Sequence, residues 1–187
     1  MPVVSTEWEV TSARIRILPQ RYRHFRHSVW QNYTDVGTRA MNCGDIALAK
    51  LMFTEALAEA RKEELLDYRL AVSFAHVGHT QFSQGEFPQA ANSYLRALAI
   101  TRNVKNTPKE FEIMLLETLA DIRLEQGQLR LAKRHLTRAL NLREIHTPEQ
   151  KDQRAKILLK LASVFSEFGD TDQALALYEK SKEIRST

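Results

Sequence analysis

From Tyr22 onward, apolar positions recur at helical spacing. Tyr22, Phe25, Val29, Tyr33, Val36 and Ala40 fall at intervals of 3, 4, 4, 3 and 4, one apolar stripe along a helix. Glycine then breaks the stripe, and the break returns at Gly44, Gly85, Gly127 and Gly169, at intervals of 41, 42 and 42. Around each break the same residue types stand at the same offsets. Seven residues before it is a small residue: Gly37, Gly78, Ala120 or Ala162. Five after it is Ala49, Ala90, Ala132 or Ala174, and nine after it is Phe53, Tyr94, Leu136 or Tyr178. Glycine accepts the left-handed conformation that ends a helix. Small residues allow close helix approach, and the rings and leucines fill what space is left. The pattern predicts four helix–turn–helix units, with helices over about 29–42, 46–63, 67–84, 88–103, 108–126, 129–145, 148–168 and 171–185. The apolar stripe extends the first of these back toward Pro19.

No single unit of this kind buries its apolar faces, whereas a stack of about three or more does. The fold class expected is therefore an all-α solenoid. "NTPKE" and "HTPEQ" read as helix starts, with Thr107 and Thr147 as N-caps and Glu110 and Gln150 completing capping boxes. Ahead of Pro19, Trp8 and Val10, then Ile15 and Ile17, alternate with polar residues. That is a strand pattern. It is read as a terminal arm that docks loosely, with pairing to a partner's edge strand as the alternative.

The four aligned blocks resemble the tetratricopeptide repeat (TPR) family over roughly Val29 to the C-terminus. The family period is about 34 residues. The longer period here is similar to that of kinesin light chains and of bacterial peptide-sensing regulators. The resemblance implies a right-handed superhelical solenoid over 19–187, with repeats at about 29–66, 67–107, 108–147 and 148–187 and an N-terminal arm over 1–18. It also implies that the first helices of the units line a concave groove where a protein or peptide lies. Carried onto this sequence, the groove residues are Thr38, Met41, Asn42, His79, Phe82, Met114, Glu117, Asp121, Glu125 and Lys156, with Thr34, Val72 and Ala75 beside them. One TPR subgroup clamps chaperone C-termini with lysines and asparagines. Thr34, Thr38, His76, Met114 and Thr118 stand at those positions here, so no such clamp is expected.

Charge adds two features. Glu117, Asp121 and Glu125 are spaced by four and share one helix face. This acidic stripe beside Met41, Phe82 and Met114 suits a basic ligand with an apolar anchor; alternatively, Lys156 and Lys160 neutralise it. The net charge of +4 is concentrated at the front of the chain. Residues 10–34 hold Arg14, Arg16, Arg21, Arg23 and Arg26 and no acidic residue. This basic arm is the candidate contact for nucleic acid or an acidic partner. A second basic run, Arg130, Lys133, Arg134, His135 and Arg138, lies on one later helix and reads first as a solvated face.

The chemistry expected is binding rather than catalysis. No catalytic motif or phosphate-cradling glycine cluster is present. His76 and His79 are spaced for a metal, but a competent site needs further ligands, so no metal or cofactor is expected. Cys43 stands alone, which excludes an internal disulfide. With no secretory signal and no membrane-length apolar run, the location expected is cytoplasmic. The last helix carries Leu175 and Tyr178 with nothing after it to cover them, a candidate face for self-association.

Overall fold

A computed structural model of the chain describes residues 29–62 and 67–186. Among these residues the only regular elements are eight helices. They are α1 (Val29–Asn42), α2 (Ile46–Ala60), α3 (Tyr68–Ser83), α4 (Phe87–Asn103), α5 (Lys109–Glu125), α6 (Leu129–His146), α7 (Lys151–Glu167) and α8 (Thr171–Ser186). Each packs against the next along the chain, α1 on α2 through α7 on α8. The architecture is an all-α repeat solenoid. The 1–18 arm, its five arginines and the extension of α1 toward Pro19 lie outside the described residues.

The turn glycines end the first helix of every unit in one way. At Gly85, φ is +74°. Its N–H donates to Phe82 O at 2.9 Å, and the next N–H, of Glu86, donates to Gln81 O at 2.8 Å. This pair of bonds satisfies carbonyls that the helix end would otherwise leave open. Gly44, Gly127 and Gly169 repeat it.

Gly37 and Gly78 have a different reason. They sit inside helices, where a Cβ on Gly37 would fall 2.6 Å from Phe53 and one on Gly78 would fall 2.9 Å from Tyr94. The small position and the large position are thus a contact pair in the first two units. Phe53, Tyr94 and Leu136 are fully buried. Burial of a ring or leucine contributes ~1.5–3 kcal/mol.

The capping boxes do not form. Thr107 Oγ1 donates to Val104 O, and Thr147 Oγ1 donates to Arg143 O. Both threonines thus bond back to the preceding helix and cap nothing ahead. Helix α7 begins at Lys151, after a turn through Pro148 and Glu149, with no side-chain cap. Glu110 and Gln150 turn instead to Arg143. Asp45 and Asp67 do cap, accepting from Leu48 N and Leu70 N at 3.0 Å.

Candidate ligand groove

The first helices of the units stand side by side. Trp30 Nε1 of α1 donates to Ser73 Oγ of α3 at 2.8 Å, and Lys160 of α7 meets Asp121 of α5 at 2.6 Å. On this row Thr38, Met41, His79, Phe82, Met114, Glu117 and Asp121 are half-buried, while Asn42, Glu125 and Lys156 are exposed. Phe82 is braced edge-on by Phe87, centroids 5.6 Å apart. Thr118 Oγ1 donates to Met114 O at 3.0 Å and lies 3.7 Å from its sulfur, close enough to steady that side chain. Thr34, Val72 and Ala75 are buried between helices, so no ligand reaches them.

The acidic stripe is tied into the fold. Glu117 accepts from Arg143 Nε at 2.8 Å and lies 2.7 Å from its Nη2. Arg143 Nη1 also reaches Glu110 at 3.1 Å and Gln150 Oε1 at 2.7 Å. The Arg143 side chain is only 4% exposed. Its fork therefore joins α5, α6 and the turn into α7, an arrangement lysine's single ammonium does not reproduce. Asp121 is held by both its oxygens to Lys160 Nζ.

The significance of Arg143 escaped sequence reading, although a signal existed. Sixteen residues past the turn glycines stand Ala60, Thr101 and Arg143, and the first two are buried. An arginine at a buried repeat position demands partners.

His76 is a core residue. Its ring stacks on Phe53, centroids 4.3 Å apart and planes within 12°. Burial, with some repulsion from His79, pushes its pKa down to about 3, and burial takes His79 to about 4. Among the described residues no group of three or more His, Cys, Asp and Glu is placed to hold a metal ion. No described helix is long and apolar enough to cross a membrane.

At the far end, Leu175 is 58% and Tyr178 44% exposed. The equivalents of Tyr178 in earlier units, Phe53, Tyr94 and Leu136, are fully buried.

Helix pairs in series, with a braced row of first helices, define a TPR array. The chain belongs to the family described as the MalT-like TPR region, which matches residues 18–186. Among solved structures it is similar to BtubC (BKLC) from P. vanneervenii, with a TM-score of 0.78 and 17% identity over 96% of this chain and 70% of that one. It is also similar to a putative kinesin light chain from Podosopora anserina with nearly identical TPR-like repeats, with a TM-score of 0.71 and 16% identity over 96% and 83% of the two chains. The apo form of RapI gives a TM-score of 0.73 and 15% identity over 96% of this chain and 62% of that one. No curated protein matches the sequence.

Proposed function

We propose that this protein is a non-catalytic protein–protein interaction module, an adaptor, scaffold or assembly factor that takes a peptide or protein segment on the row of first helices. The observation that carries the reading is the half-buried apolar set Met41, Phe82 and Met114, held on three neighbouring helices with exposed polar groups at its border. Recognition sites combine apolar anchors with a few polar groups in this manner. With Glu117 and Asp121 engaged by Arg143 and Lys160, a basic residue of the ligand would be met first by exposed Glu125. The apolar anchor would sit on Met114 and Phe82.

Selection of binders from a random peptide library, followed by titration against wild type and Met114→Lys/Glu125→Lys, tests this. A loss of at least about tenfold in the variant, with its melting curve unchanged, is expected. Equal affinity for both proteins sinks the groove as the site.

A second reading rests on the exposed Tyr178, whose counterparts Phe53, Tyr94 and Leu136 are fully buried, with exposed Leu175 beside it. It is self-association through α8. Sedimentation velocity across a concentration series would show a rising mass that Tyr178→Glu abolishes; a mass that is constant, or unchanged by the substitution, refutes it.

A further inference from the structure

On α5 the carboxylate of Glu112, which is almost wholly buried, gathers three cations from three helices. Arg102 Nε of α4 lies at 3.3 Å, Lys109 Nζ at 3.4 Å and Arg138 Nη2 of α6 at 3.0 Å. Both arginines use the same oxygen, so their donor nitrogens are no more than 6.3 Å apart. Burial alone would raise the Glu112 pKa, but these three cations hold it below the usual carboxylate range. The arginines remain open to solvent on their other sides, 39% and 49% exposed.

The positive charge continues beyond this cluster. Arg130 and Arg134 precede Arg138 in steps of four, so the three share one face of α6. At ~1.5 Å per residue the row is about 12 Å long. Arg123, at the end of α5, donates from Nη1 to Gln126 at 2.9 Å and to Gln128 at 2.8 Å, which are neutral amides. Among the described residues no carboxylate pairs with Arg123, Arg130 or Arg134. His135 sits amid these groups. Its pKa is pushed down to about 4, first by burial and then by Arg123, Arg134, Arg102 and Arg138. Six cationic side chains are thus carried by α4, α5 and α6 here, and the carboxylate that three of them share is already spent inside the cluster.

We infer that this outer face of α4, α5 and α6 is a second binding surface, distinct from the groove, and that its ligand is an acidic segment of a protein. Guanidinium forks fit carboxylates in paired hydrogen bonds, and the face already holds one in Glu112. A row about 12 Å long spans roughly four residues of extended chain, enough for a short cluster of Asp and Glu. Nucleic acid fits less well. α6 contains no Phe, Tyr or Trp on which a base would stack, and the ring among these arginines is the half-buried imidazole of His135.

The test is fluorescence anisotropy on the full chain at about 50 mM salt. The probes are a labelled octapeptide of alternating Glu and Asp, a labelled octalysine and a labelled single-stranded octanucleotide. The acidic peptide is expected to bind saturably and octalysine not to bind at this face. Arg130→Glu/Arg134→Glu should weaken the acidic peptide at least about tenfold. Both side chains are exposed and unpaired, so the fold is expected to hold. Arg130→Gln/Arg134→Gln, which only removes charge, should weaken it less but in the same direction. Met114→Lys/Glu125→Lys should leave it unchanged, which separates this surface from the groove. Absence of saturable binding, equal binding by both arginine variants and wild type, or loss in the groove variant overturns the inference. So does an octanucleotide that binds as tightly as the peptide, which would assign the face to nucleic acid.

Discussion

Gly37→Ala should destabilise the first unit, although alanine is the better helix former. A Cβ at this position would meet Phe53 Cε1 at 2.6 Å, Cδ1 at 2.7 Å and Cζ at 3.1 Å. The ring is fully buried and its position is further defined by the stack on His76, so it has little room to retreat. Overpacking of this kind costs ~1–3 kcal/mol. Replacing a mid-helix glycine with alanine returns ~1 kcal/mol of helix propensity. The net loss expected is about 1 kcal/mol, within a range of roughly 0–2. The third unit already carries the compatible pair, Ala120 with Leu136, both fully buried. Phe53→Leu alone should therefore be destabilising, through lost volume, while in the Gly37→Ala background it should cost clearly less. Urea unfolding of the four proteins, followed by far-ultraviolet circular dichroism, gives the coupling, expected at about 0.5 kcal/mol or more. Stabilisation of Gly37→Ala by the full propensity gain would refute the reasoning, and so would strict additivity of the two substitutions.

Gly85→Ala should also destabilise, by about 1–2 kcal/mol, but for its positive φ. Nothing lies within 4 Å of the added Cβ, so Tyr94→Leu should not relieve the loss in the same urea assay, and relief would show that space matters there too. Arg143→Met leaves Glu117 and Glu110 without their shared partner and should cost about 3 kcal/mol; Arg143→Lys should recover only part of the lost urea midpoint, and full recovery would mean that charge alone suffices. Stability should fall as pH drops from about 6.5 toward 3. Over that interval the unfolded chain protonates His76 while the folded chain, with its pKa at about 3, does not. His79 and His135, each at about 4, act in the same direction. His76, which is wholly buried, contributes a slope approaching about 1.4 kcal/mol per pH unit. His76→Phe should flatten the pH profile of thermal melting, and an unchanged slope would remove His76 from the account.

The repeat was legible because its causes are local and recur. A glycine that ends a helix does so through its own φ, and four copies at constant spacing reinforce the reading. Helix ends were legible to within a few residues. The largest departures were three residues, at the end of α2 and at the start of α7, where Pro148 suggested a start that the chain delays to Lys151. There, Thr147 bonds backward to Arg143 and Gln150 turns to the same arginine. Local capping rules lost to a tertiary demand, the need to satisfy a buried guanidinium. The row of first helices was legible in the repeat, and the state of the side chains on it was less so. The first helices do form a braced row, but whether an acidic side chain there is available depends on partners far along the chain. Glu117 meets Arg143 across 26 positions, and Asp121 meets Lys160 across 39.

The amino-acid sequence by itself determined the period, the element type and the recurring small and large positions of each unit. Those follow from φ preferences and from side-chain volume at fixed offsets. Only the tertiary structure decided which charges are spent inside the fold. Glu117, Asp121 and Glu112 are sequestered by cations that other helices bring to them, while Arg123, Arg130 and Arg134 are left without carboxylates. The electrostatic interaction of two charges depends on their separation and burial, and sequence spacing gives neither once the charges lie on different helices.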